Sequence, residues 1–94
     1  MNPRRACRID ANHKELSDAA SAFGWFVIDS HEFAQYKGGF PDAIWAKPGR
    51  VVLAEYKVGN EPLTKAEKEF QRDWPDVYVV IRTVDDVVRV TEAR

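Results

Sequence analysis

Three ionisable residues in the middle of the chain have the types and spacing to hold a divalent cation: Asp42, then Glu55 and Lys57 two residues apart. Lys47-Pro48-Gly49-Arg50 separates the apolar runs 42–46 and 50–57, with Pro and Gly where a tight turn uses them. A hairpin closed there sets Ala46 opposite Val51, Ile44 opposite Leu53 and, in the same register, Asp42 opposite Glu55. Side chains alternate along a strand, so Asp42, Ile44 and Ala46 share a face with Val51, Leu53, Glu55 and Lys57. That face is apolar at the turn end and charged at the other. Opposed residues hold their Cβ atoms about 4.5–5.5 Å apart, where like charges are destabilising. Lys57 offsets part of the repulsion. Mg²⁺ or Mn²⁺ would offset more, because these ions take one or two carboxylates and leave positions for water and phosphate. The alternative is a solvated strand end whose charges pair across the rim for about 0–1 kcal/mol.

Other chemistries lack their residues. His13, His31 and Cys7 are too few for a Cys/His zinc cluster. Ser17, Ser21 and Ser30 have no nucleophile-elbow context, and no Gly-x-x-x-x-Gly-Lys phosphate loop occurs.

The elements that must position the acids follow from periodicity. Leu16, Ala19, Ala20 and Phe23 have helical spacing, with Asp10 or Asn12 as N-cap and Gly24 just past the end. Residues 25–29 suit a strand, 30–40 a loop containing Gly38-Gly39, and 42–46 with 50–57 the hairpin. Helical spacing returns over 64–74, where Leu63, Ala66, Phe70 and Trp74 make an apolar stripe that Pro75 ends. The unbroken apolar run within 77–82 reads as a strand covered on both faces, and a short helix follows from Val84 or Asp85 to Val90. The order α-β-β-β-α-β-α predicts an α/β fold, a small mixed β-sheet flanked by helices.

Ninety-four residues suit one domain spanning 1–94 and bury about 65% of the unfolded surface. One cysteine forms no internal disulfide, no stretch is apolar enough to span a membrane and 1–10 is too polar for a signal peptide, which together suggest a cytoplasmic protein. A net charge of −1 argues against a polybasic protein driven onto nucleic acid by bulk charge. Local patches survive that argument: residues 1–14 hold Arg4, Arg5, Arg8 and Lys14 against Asp10.

Gly39-Phe40-Pro41-Asp42 followed by Glu55-Tyr56-Lys57 resembles the PD-(D/E)xK nuclease superfamily, specifically the small stand-alone VRR-Nuc domains of phages and bacteria. The likeness extends to Asp10-Ala11-Asn12-His13-Lys14-Glu15 as a first-helix motif, and to Leu63-Thr64 through Trp74, 77–80 and Asp85-Asp86 as the closing elements. It implies a restriction-endonuclease-like core and phosphodiester hydrolysis with Mg²⁺ or Mn²⁺. By matching position, Asp42, Glu55 and the Tyr56 main-chain carbonyl would hold the metal, with Glu15 approaching directly or through water. Lys57 would position or help deprotonate the attacking water. The family usually has Gln where this chain has Glu67, which would either add a carboxylate to the site or close a capping box with Thr64. Gln71, one turn later, is a candidate substitute. Glu15 is also accounted for as an acid in a helix's first turn, and Asn12 as an N-cap.

Lys65, Lys68 and Arg72 share a helix face and, with Lys37 and the amino-terminal Arg4, Arg5, Arg8 and Lys14, are candidates for contacting DNA phosphates; a solvated helix face explains the first three equally well. Trp25, Trp45 and Trp74 read as core or dimer contacts. A domain this small grips little DNA alone, so a homodimer with two sites is expected, and the family likeness suggests branched substrates such as four-way junctions. The expected activity is that of a metal-dependent endodeoxyribonuclease, working in the bacterial host cytoplasm if phage-encoded. The rivals are an inactive DNA-binding or protein-interaction module on the same fold, and a phosphohydrolase acting on nucleotides.

Overall fold

The computed structural model describes the backbone of residues 3–30 and 38–93 and the side chains of 11–30 and 38–93. Its elements are α1 (Pro3–Ala22), β1 (Phe26–Asp29), β2 (Ala43–Lys47), β3 (Arg50–Tyr56), α2 (Lys65–Asp73), β4 (Tyr78–Ile81) and α3 (Val84–Glu92), the order expected from the sequence. The four strands form one sheet in the order β1-β2-β3-β4. The first two pairings are antiparallel and β3–β4 is parallel, so the chain crosses over between β3 and β4, and α2 is that crossover.

Strand alternation gives the sheet two unlike faces. On one, Trp45, Val52, Ala54, Tyr56 and Ile81 pack with Leu16 and Ala20 of α1 and Val87 and Val90 of α3, and this is the core. Trp45 Nε1–H donates to the Tyr56 hydroxyl at 3.0 Å, and Ser17 Oγ lies 2.8 Å from the same oxygen, so the buried polar tips of that layer are satisfied. The other face carries Ile44, Ala46, Val51 and Leu53, is covered by α2 only near β4, and leaves Phe26, Ile28 and Val51 exposed at 68%, 42% and 50%.

α1 does not start at Asp10 or Asn12. It runs from Pro3, a residue whose fixed φ and missing N–H suit a first helical position, and Asn12 instead points its amide at the Lys57 carbonyl at 3.5 Å. Its end is as expected: Gly24, at φ +95°, and Trp25 donate their N–H groups to the Ser21 and Ala20 carbonyls, the paired bonds of a glycine-terminated helix. Trp25 and Trp45 are core residues, whereas Trp74 caps α2, lies tilted against Phe70 with ring centroids 6.4 Å apart and is 55% exposed. No helix among the described residues is long and apolar enough to cross a membrane.

Candidate functional site

The hairpin register is the one the turn implies: Ala46 pairs with Val51, Ile44 with Leu53 and Ala43 with Ala54. Asp42 precedes β2 by one residue, which carries the register on to Glu55. There the Asp42 carboxyl lies within hydrogen-bonding reach of Glu55 and acts on its titration. Asp42 is fixed further by the Tyr56 N–H, which donates to its Oδ2 at 2.8 Å. Two carboxyls brought this close favour a proton at the pair, and it is Glu55 whose titration is moved. Burial, then the hydrogen bond and charge of Asp42, then the charge of Glu67 push Glu55 up to about 10 against the opposing pull of Lys57.

Glu55 and Lys57 are both buried, at 4% and 6% exposure, two residues apart on the same face. Lys57 Nζ lies 2.7 Å from Glu67 Oε1 on the first turn of α2. Burial pulls the Lys57 ammonium down, but the hydrogen bond and charge of Glu67, with Glu55 and Glu61, outweigh it and leave the group above the ordinary lysine value. Burial likewise raises Glu67, and the bonds from Lys57 and the Thr64 amide more than reverse it. The capping box forms as well: Thr64 N–H donates to Glu67 Oε1 at 2.8 Å, and Glu67 N–H donates to Thr64 Oγ1 at 3.2 Å. The two readings of Glu67 are therefore not exclusive, since one oxygen caps the helix and neutralises Lys57.

α2 reaches the acids because the strand-entry loop lets it approach. At Gly39, φ +84°, a Cβ would fall 2.7 Å from the Ala66 carbonyl oxygen, so any side chain there would push the helix off. Phe70 then packs edge-on to Phe40 and tilted against Tyr78.

Asp42, Glu55, Lys57 and Glu67 thus meet. Other candidates lie elsewhere. Glu15 is exposed in an open groove with Asn12, Arg82, Thr83 and Asp85, and is not among the charges that bear on Glu55. Gln71 is exposed on α2. Lys65 and Lys68 are exposed, Arg72 pairs with Asp73 at 3.0 Å, and Lys14 pairs with Asp18 at 2.6 Å. Arg4, Arg5 and Arg8 lie outside the residues with described side chains, and Lys37 outside the described residues altogether. His13 stacks edge-on with Tyr56 in the opposite, core-side layer.

Sequence reasoning missed Tyr78. It lies in a run read as purely apolar, and only the parallel register, which sets it beside Leu53, brings it onto the face of the acids.

Among the described residues no cluster of three or more His, Cys, Asp or Glu is arranged as a metal cage. The donors that meet are the two carboxyls of Asp42 and Glu55, all oxygen, which suits a hard cation that keeps several waters. No family model matches the chain, and no curated protein or solved structure matches it.

Proposed function

We propose that the protein is a divalent-cation-dependent endonuclease that hydrolyses phosphodiester bonds in DNA, built on a restriction-endonuclease-like core. The observation that carries this reading is the Asp42–Glu55 pair, two carboxyls that meet in the hairpin register and hold Glu55 toward its protonated form, with Lys57 on the same face. A proton there is a substitute for a cation: replacing it by Mg²⁺ or Mn²⁺ lets both groups ionise without repulsion. Asp42, Glu55 and the Tyr56 carbonyl would hold the ion. When bound, it polarises the scissile phosphate and acidifies the attacking water.

Lys57 works by charge in this reading. Its ammonium keeps its proton, so it donates a hydrogen bond to the water or to a phosphate oxygen and stabilises the charge that develops there, and does not act as the base. Glu67 holds that ammonium in place until substrate competes for it.

Two copies acting together belong to the same proposal. The uncharged row Phe26, Ile28 and Val51, on the same sheet face as the acids, is the surface a second copy would cover.

The test is nicking of supercoiled plasmid and of a synthetic four-way junction with Mn²⁺, Mg²⁺ or EDTA. Cleavage with either metal, absent in EDTA and lost in Asp42→Asn and Lys57→Ala, is the expected result. Absence of metal-dependent cleavage on both substrates would overturn the reading. DNA binding without cleavage would then favour the inactive module, a reading to which the engagement of Lys57 by Glu67 lends support.

A further inference from the structure

Tyr78 is 6% exposed, and its hydroxyl is a buried side-chain polar atom with no hydrogen-bond partner among the described residues. Buried polar groups are paired in nearly all proteins, so an orphan asks what it is for. The ring is fixed by the register opposite Leu53 and by Phe70, whose centroid lies 6.2 Å away at 38°. Glu55, two residues beyond Leu53 on β3, faces the same side of the sheet. The carboxyls of Glu55, Glu67 and Asp42 all lie near enough to bear on the hydroxyl, yet none of them accepts its proton.

A phenol donates one hydrogen bond and accepts two, whereas ionised carboxylates only accept. Water has the complementary pattern, and a cation held by one or two carboxylates carries water with it whose O–H groups need acceptors inside the protein. The hydroxyl is sealed from bulk solvent, which excludes a bulky phosphate. We propose that Tyr78 is a positioning residue of the cation site, its hydroxyl hydrogen-bonding a water that enters with the divalent ion. The inference rests on the reading of Asp42 and Glu55 as cation ligands. Outer partners of this kind fix the geometry of the ligands they touch, and their loss typically weakens metal binding by about 10–100-fold.

The test is Tyr78→Phe in the full chain, read twice: thermal unfolding in EDTA, and calorimetric titration with Mn²⁺ alone. Removing an orphaned hydroxyl relieves an unsatisfied group, so the variant is expected to melt at or above the wild-type temperature in EDTA. Its Mn²⁺ affinity is expected to fall about tenfold. A purely structural tyrosine would lower the melting temperature and the affinity together, and that outcome overturns the proposal. Equal Mn²⁺ affinities in the two proteins overturn it as well, leaving the cation site standing. Absence of Mn²⁺ binding by the wild type would remove the cation site, and the role of Tyr78 with it.

Discussion

Lys57 and Glu67 form an ion pair of 2.7 Å between a strand end and a helix's first turn, with side chains only 7% and 14% exposed. Because the same carboxylate oxygen caps α2, the pair can be dissected. Glu67→Gln keeps a side chain able to close the capping box but removes the counter-charge from a buried ammonium. We expect a loss of about 1–3 kcal/mol in urea unfolding with the helix retained, and a larger loss for Glu67→Ala, which also opens the cap. Unchanged stability in Glu67→Gln would mean that solvent already neutralises Lys57.

The pH dependence of stability follows from Glu55. Burial and then Asp42 raise its folded value to about 10 from 4.5. Its contribution is fully present below about pH 4.5 and is lost as pH rises toward 10, because the unfolded chain releases a proton that the folded one must retain. The metal-free protein should therefore melt at a lower temperature at pH 8.5 than at pH 5.5, and Glu55→Gln should flatten that slope. Saturating Mn²⁺ should raise the melting temperature more at pH 8.5 than at pH 5.5, since the ion displaces the proton. A flat profile for the metal-free wild type would contradict a proton retained at the pair.

Much of this arrangement was legible because its determinants are local. The Pro48-Gly49 turn is enough to set the hairpin register and so the meeting of Asp42 with Glu55. Thr64 and Glu67, three residues apart, announce the start of α2. What escaped depends on contacts distant in sequence. Tyr78 looks like one more apolar strand residue until the parallel pairing sets it beside Leu53. Asn12 has the type of an N-cap, but α1 runs through it from Pro3, and its side-chain amide points at the distant Lys57 carbonyl. Trp74 continues the α2 stripe by spacing and meets Phe70, yet the helix ends there and the ring stays 55% exposed.

Lys65 and Lys68 are exposed on the helix that covers the acids. If they meet DNA phosphates, replacing both by Ala should weaken binding across sequences and reduce the slope of log affinity against log salt by about 1–2, each contact being worth about 0.9. Fluorescence anisotropy on a labelled junction in EDTA measures this. An unchanged slope would return both lysines to the role of a solvated surface.

The exposed row on β1 and β3 makes a prediction about assembly. Sedimentation velocity should give the mass of two chains for the wild type and of one chain for Phe26→Glu, with matching far-UV circular dichroism. A wild-type monomer at about 100 µM would argue that the row has another use, or none.

The β2–β3 pairing also bears on how the chain reaches its folded state. The hairpin joins residues close in sequence and its turn closes in microseconds, whereas the cover from α2 and the parallel strand must wait for a longer loop to close. The chain thus gathers two negative groups before it has anything to shelter them. Acidic refolding buffer, or Mn²⁺ present from the start, should speed the first phase of a stopped-flow refolding trace, and Asp42→Asn should make that phase indifferent to both. Whatever recognises the two acids in the finished protein would then also be a kinetic helper in its making.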